Sequence, residues 1–321
     1  MHCPFHLAAF KRIPEMSSHR LASAISGIGT AASAPGNAGD RADSIVLAMS
    51  AADAFVHLAG QTSAEAVRRT RALRTKADPE VLHKLRVALR RLRSLWWAYE
   101  PLFDAKGARI QRSEFKSLAN AAGKTRDWDV LRDLLLSAES MQHSFGSLLE
   151  SVGEHRADAL LFSRRTIRNA GVDQILQQAL TGARHQLDAR ATTSPTLPLF
   201  AGERVELAET ALKKRVKRAV SRKDSGYAAL HEVRIAGKKL RYLLEFFSPV
   251  LDGSHQSTIE RLSSVQDELG KLNDLVSSET LLREYSFQLG EPGVVKEAIR
   301  CLENQKKRHM CNAHKILRTA W

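Results

Sequence analysis

A basic, histidine-containing segment with helical spacing occurs twice in this chain, and the repeat restricts the possible folds more than any other feature. Residues 81–103 read VLHKLRVALRRLRSLWWAYEPLF, and residues 229–251 read ALHEVRIAGKKLRYLLEFFSPVL. The matched pairs, all at an offset of 148 residues, are His83 and His231, Arg86 and Arg234, Arg90 and Lys238, Arg91 and Lys239, Arg93 and Arg241, and Pro101 and Pro249. The sequence therefore predicts an internal duplication.

A second pair of segments supports the duplication. AAGKTRDWDVLRDLL at 121–135 matches ELGKLNDLVSSETLL at 268–282 at an offset of 147 residues. The shared positions are Gly123 and Gly270, Lys124 and Lys271, and Asp127 and Asp274. Each half thus carries a basic helix followed by a Gly-Lys-x-x-Asp element.

The pattern from residue 40 onward predicts an all-α fold, because apolar residues recur at steps of three and four and prolines are few. Asp78 and Pro79 have the residue types of a helix start, and Asp224 or Ser225 offers a cap for the second copy. Turn residues predict breaks that include Gly123–Asp127, Gly153, Gly171, Gly270–Asp274 and Gly290–Gly293. The expected organisation is an N-terminal extension at 1–40, a first half at 41–191, a linker at 192–200 and a second half at 201–321.

The N-terminal extension is rich in small uncharged residues at 21–39, and we interpret it as a disordered segment rather than a targeting peptide. Three widely separated cysteines, Cys3, Cys301 and Cys311, argue against a disulfide framework and for a reducing, cytoplasmic location. No apolar run reaches the roughly 18 residues that a membrane span needs.

Helical geometry arranges the repeated cations as stripes. At about 100° per residue, His83, Arg86, Arg90 and Arg93 fall within an arc of roughly 80°. The second copy places His231, Arg234, Lys238 and Arg241 in the same way, and both helices carry a broad apolar face behind the stripe. Like charges at this spacing repel one another. The expected partner is therefore either carboxylates from other helices or a bound polyanion.

The net charge of +14 indicates an anionic partner for the whole chain as well. Arginine forks bind phosphate oxygens in a bidentate manner, lysine adds a point charge, and a histidine beside an anion is pushed toward its protonated form. Phosphate is thus the ligand that these residue types suit best, and no group is arranged to break a phosphoester bond.

The repeated motif H-x-x-R-x-x-x-[RK]-[RK]-L-R, followed each time by Gly-Lys-x-x-Asp, resembles the CHAD domain, the conserved histidine α-helical domain, over roughly residues 41–318. The resemblance implies two four-helix bundles related by pseudo-twofold symmetry, with basic helices facing a central groove or pore. It also implies a protein without catalytic residues or cofactors that binds inorganic polyphosphate, in some bacteria at polyphosphate granules. The triphosphate-tunnel domain of some relatives has no counterpart here, because the chain lacks an E-x-E-x-K strand.

Carried over by position, the resemblance implies a binding site made of His83, Arg86, Arg90, Arg91, Arg93, Lys124, His231, Arg234, Lys238, Lys239, Arg241 and Lys271. Arg126 departs from the repeat, because its counterpart is Asn273.

Two other functions remain open from the residues. Phosphate contacts alone can support sequence-independent nucleic-acid binding, although no stacking platform accompanies the stripes. Metal binding by the motif histidines is disfavoured because arginines surround them. The group Cys301, His309, Cys311 and His314 lacks the usual spacing of paired zinc ligands, so we interpret it as a solvated terminal helix.

Overall fold

The computed structural model describes residues 49–75, 78–139, 145–189, 194–221, 226–251 and 256–320. Within these ranges the regular structure is helical, and the prediction of an all-α fold is confirmed. The ten α-helices are α1 (Ala51–Thr75), α2 (Pro79–Ala98), α3 (Ala105–Ala121), α4 (Lys124–Glu139), α5 (Gly146–Asn169), α6 (Val172–Asp188), α7 (Leu197–Ser221), α8 (Tyr227–Phe247), α9 (Gln256–Glu284) and α10 (Pro292–Ala320). The N-terminal extension lies outside the described residues.

The main core joins the two helices that carry the histidine motifs. The α2 residues buried on its apolar side follow the steps of three and four seen in the sequence, and they are Leu82, Leu85, Leu89, Leu92, Leu95 and Trp96. Tyr99 packs its ring at 5.1 Å from Phe200 and 5.5 Å from Phe247. Phe55 meets Trp96 edge to face at 4.8 Å. These aromatic contacts hold α1, α2, α7 and α8 together and fix the ends of the two motif helices.

A second buried cluster lies between α4, α5, α9 and α10. It includes Leu131, Phe145, Leu275 and Leu302, all at most 1% exposed. Both cores draw residues from either side of residue 192. The two Gly-Lys-x-x-Asp elements are consequently carried by helices, α4 and α9, that pack against each other.

Local capping explains several helix ends. The Asp78 side chain accepts a hydrogen bond from the Glu80 N–H at 2.9 Å, with Pro79 in the first turn, as the sequence predicts. The α8 helix instead begins after Gly226, which provides no side-chain cap, and the proposed caps Asp224 and Ser225 lie outside the described residues. Gly171 and Gly290 take positive φ angles of 61° and 95° at two breaks, where other residues would be strained.

Two predicted breaks are wrong. Gly153 lies within α5 and Gly270 within α9, where both helices continue without interruption. A glycine inside a helix costs about 1 kcal/mol relative to alanine, which is less than the burial of neighbours such as Val152 and Leu269 contributes. Only the first Gly-Lys element, at Gly123, coincides with a real break, between α3 and α4.

The segment between the two halves is tied to the start of α1. Leu197 already belongs to α7, although it lies in the stretch predicted as linker. The Ala51 N–H donates to the Pro195 carbonyl at 3.0 Å, and the Leu197 N–H donates to the Met49 carbonyl at 2.9 Å. In the part of the chain that the structure describes, no helix is both long and apolar enough to traverse a lipid bilayer.

Candidate polyanion site

The two basic stripes lie along α2 and α8, which contact each other. Their apolar faces are buried in the main core, whereas the cations remain half-buried or exposed at its edge. The hydrophobic periodicity that forms each helix therefore also determines the side on which its basic residues emerge.

Arg86 is the most closely enclosed cation of α2. Its Nη1 donates to the Ala119 carbonyl at 3.4 Å, near the end of α3. The guanidinium lies directly against Gly123: a Cβ there would come within 1.4 Å of Nη1 and 2.5 Å of Cζ. A side chain at the α3–α4 break would therefore displace the Arg86 guanidinium from its present position. At Gly270, by contrast, an added Cβ would meet nothing within 4 Å.

The structure brings cations of both halves within mutual electrostatic range. We define the central cationic cluster as His83, Arg86, Arg90, Arg126, Arg234 and Lys238, with the carboxylates Asp127 and Asp274. Burial lowers the pKa of Arg234 and of Lys238 on α8, and Arg90 of α2 adds to both shifts, so the two stripes face a common region. Arg126, the residue that departs from the repeat, lowers the pKa of His83 and Arg86 and thus belongs to the same group.

Two carboxylates partly compensate this charge. Desolvation raises the pKa of Asp127, while Arg86 and Lys124 oppose that shift. Asp274 of α9 raises the pKa values of Arg86, Arg234 and Lys238. The pair therefore faces both stripes, but two carboxylates do not neutralise the cations of the cluster.

Lys238 has the largest shift among the basic residues of the cluster. Burial, with Arg90 and Arg234 acting in the same direction and Asp274 opposing them, lowers its pKa to about 7. Burial also lowers the pKa of His83, with Arg126, Arg86 and Arg90 adding to the effect against Glu80. Both groups thus lose protons more readily here than in water, and a nearby polyanion would restore them.

Three other motif cations, Arg91, Lys239 and Arg241, contribute to the packing between α2 and α8. The Arg91 guanidinium lies 5.1 Å from the Phe246 ring centroid and 3.8 Å from the Glu245 carboxylate. Arg241 donates to the same Glu245 at 2.8 Å. Lys239 places its ammonium 4.7 Å from the centre of the Trp97 ring. These three cations therefore have partners within the protein, whereas Arg90 has no such ion pair or ring contact among the described residues.

The remaining predicted residues lie at the margins. Lys124 and Lys271 are exposed, and Lys124 acts electrostatically on Asp127. His231 does not mirror His83, because its Nδ1 lies 3.1 Å from the Tyr227 hydroxyl, which also donates to the Asn273 side chain at 3.2 Å. Burial lowers the pKa of Arg93, and Arg90 and Arg112 lower it further, so Arg93 lies within electrostatic range of both residues.

Sequence reasoning did not assign roles to several residues near the site. Asp127 and Asp274 were visible in the repeat, and their place beside the cations could have been inferred from it. Trp97, Arg112 and Arg204 carry no repeated pattern that would signal a site, and only packing places them, together with Arg215, near Lys239.

The C-terminal group does not converge. His309 lies 2.7 Å from the Glu268 carboxylate, and Cys301 accepts from the Gln305 amide at 3.6 Å. Cys301 and Cys311 are free thiols. Among the residues that the structure describes, no three His, Cys, Asp or Glu side chains come together as a metal site requires.

Comparison with known proteins finds a family model and solved structures that are similar to this chain. The family model described as the CHAD domain matches residues 58–283. The chain is similar to the crystal structure of the CHAD domain from the plant Ricinus communis, with 24% identity, a TM-score of 0.70 and coverage of 85% of this chain and 93% of that one. It is also similar to PptA from Streptomyces chartreusis, with 16% identity, a TM-score of 0.59 and coverage of 85% and 99%. No curated protein matches the sequence. The structural similarities show a shared fold.

Proposed function

Because the chain belongs to the CHAD domain family, we propose that it binds inorganic polyphosphate at the central cationic cluster. The observation that carries the proposal is the position of Arg90, which faces Arg234 and Lys238 of the other half. Cations from two separate helices converge there with too few carboxylates to neutralise them. A linear polyanion supplies the missing negative charge along its whole length.

The energetics favour a polyanion over a single small anion. Each pair of like charges at helical neighbour spacing costs a few tenths of a kcal/mol, and the cost grows where side chains leave water. Lys238 illustrates this cost, because burial and its neighbours lower its pKa to about 7. Successive phosphates that each meet one or two cations offset the repulsion without requiring stacked bases or a metal ion.

We further propose that the halves at 41–191 and 201–321 form two bundles related by a pseudo-twofold axis, with the cluster in a groove between them. Contacts between α2 and α8 support this arrangement. Arg91 contacts Glu245, and Lys239, its counterpart 148 positions later, contacts Trp97, the counterpart of Glu245. Such an exchange of equivalent contacts is what a twofold relation between two helices produces.

The proposed role is binding without catalysis, and by analogy with the family it includes association with polyphosphate granules in the cytoplasm. The proposal treats Asp127 and Asp274 as counter-charges of the arginines, because Asp127 acts electrostatically on Arg86 and Asp274 acts on both Arg86 and Arg234. Release of orthophosphate when the purified protein is incubated with polyphosphate would contradict this part of the proposal.

The test is isothermal titration with long-chain polyphosphate at physiological salt, with tripolyphosphate and a single-stranded oligonucleotide of matched charge as competitors. Polyphosphate binding that the oligonucleotide does not displace is the expected result. Equal or tighter binding of the oligonucleotide would assign the stripes to nucleic acid instead.

A charge-reversal variant locates the site. Arg90→Glu with Lys238→Glu should nearly abolish polyphosphate binding while helicity is retained, because it replaces two facing cations with anions. Arg300→Glu with Lys307→Glu makes the same change of charge at exposed positions of α10 and is the matched control. Binding that survives the first variant, or falls equally in both, would overturn the assignment to the cluster.

A further inference from the structure

A cleft between α2, α7 and α8 draws part of its lining from α7, which lies outside both repeated motifs. Its volume is about 220 Å³. Arg204, Arg215 and Lys239 line it together with Trp97 and Glu100. The apolar part of its wall comes from Leu207, Ala208, Ala211, Ile235 and Ala236. A cleft in which positive charge predominates between apolar walls concentrates the electric field that an anion experiences.

The cations of the cleft outnumber its carboxylates. Arg112 donates to Glu100 at 2.9 Å, and Arg215 donates to Glu232 at 3.3 Å. Lys239 contacts the Trp97 ring, and within the described residues no carboxylate lies within 4.0 Å of its ammonium. Burial lowers the pKa of Lys239, and Arg215, Arg112 and Arg93 lower it further. Arg93, Arg112 and Arg215 therefore lie close enough to Lys239 for their charges to repel its ammonium.

Arg93 connects the cleft to the central cluster. It is the last cation of the α2 stripe, and Arg90 and Arg112 both act on it electrostatically. The positive charge thus continues from Arg90 through Arg93 to Arg112, Lys239 and Arg215. An anionic chain that leaves the central cluster along α2 would meet these side chains next.

We propose that Arg93, Arg112, Lys239 and Arg215 form an outer subsite that binds a further stretch of the same polyphosphate chain and sets a preference for long chains. The inference rests on the proposed function. The central cationic cluster alone can bind a short oligophosphate, whereas a long chain contacts both the cluster and the outer subsite. Once the first stretch is bound, the second binds at a high effective concentration, which increases the affinity for long chains only.

The test compares long-chain polyphosphate with tripolyphosphate by isothermal titration at several salt concentrations. The variant is Arg112→Gln with Arg215→Gln, and the matched control is Arg68→Gln with Arg300→Gln, which removes two exposed arginines paired within their own helices. We expect the variant to bind the long chain about tenfold or more weakly. The slope of log affinity against log salt concentration should become shallower by about 1 to 2, because binding releases fewer counterions when fewer phosphates are contacted. Tripolyphosphate affinity and the control should remain unchanged within about twofold.

Three outcomes would overturn the subsite. The variant could bind the long chain with unchanged affinity and salt slope, it could lose affinity equally for both ligands, or the control could lose as much. Arg215→Gln alone provides a second variant with the same expected result should the double change impair folding, which thermal unfolding reports. Absence of binding of either phosphate to the unmodified protein would instead overturn the proposed function, and the subsite with it.

Discussion

Replacing Gly123 by alanine tests how the α3–α4 break positions Arg86. The added Cβ would lie 1.4 Å from the Arg86 Nη1, and ordinary contact begins near 3.4 Å, so the guanidinium must move by about 2 Å. The Arg86 side chain is flexible and can move without a change in the backbone. The fold therefore loses little more than the hydrogen bond to Ala119, which is worth about 1 kcal/mol.

The effect on ligand binding should be larger than the effect on stability. At an effective dielectric constant near 20, a guanidinium about 4 Å from a phosphate charge contributes about 4 kcal/mol, and at about 6 Å it contributes about 3 kcal/mol. The difference, about 1.4 kcal/mol, corresponds to about tenfold weaker polyphosphate binding. Titration calorimetry measures the affinity, and urea unfolding measures the stability.

Gly270 provides the matched control, because it occupies the equivalent position in the second motif and has no neighbour within 4 Å of an added Cβ. Since it lies inside α9, Gly270→Ala should stabilise the fold by about 1 kcal/mol and leave the affinity unchanged. Two results would refute the reasoning: Gly123→Ala that binds polyphosphate as tightly as the unmodified protein, or a loss of affinity shared by both variants.

Two further predictions concern charge and packing. The pKa of Lys238 is lowered from 10.5 to about 7, so the unfolded state binds more protons between these pH values. The free energy of unfolding should therefore rise from pH 7 toward pH 10, while polyphosphate affinity falls as Lys238 loses its charge. Lys238→Arg should flatten the pH dependence of affinity, and an equally steep dependence in that variant would contradict this role. Phe247 is fully buried against Tyr99 and Phe200, so Phe247→Ala should destabilise the fold by about 3–5 kcal/mol in urea unfolding, and a loss below about 1 kcal/mol would contradict its place in the core.

The local structure of the motif helices could be predicted from the sequence because the signals are local. Steps of three and four define the buried face of α2, from Leu82 to Trp96, and Asp78 with Pro79 defines its start. The stripe on the opposite side follows from the same geometry. The equivalence of Gly123 and Gly270 was misleading, because a glycine ends a helix only where the surrounding structure favours a break.

The sequence could not predict which basic residues of each motif face the central cationic cluster and which pack against the opposite helix. Arg90 and Arg91 are neighbours of the same type, yet Arg90 faces the other half's cations while Arg91 packs on Phe246 and reaches Glu245. The two motif histidines also differ, since Tyr227 contacts His231 and has no equivalent beside His83. These differences depend on which helix lies opposite each side chain.

The sequence by itself determined that the chain forms helices, that two of them carry matching basic stripes and that an anion is the expected partner, because periodicity, capping and charge act over a few residues. Only the tertiary structure decided that Arg90 faces Arg234 and Lys238, that Asp127 and Asp274 are shared counter-charges, and that Arg112 and Arg215 lie within electrostatic range of Lys239. Electrostatic interactions depend on the distance between groups in space and on their removal from water, and packing sets both after residues far apart in sequence have been brought together.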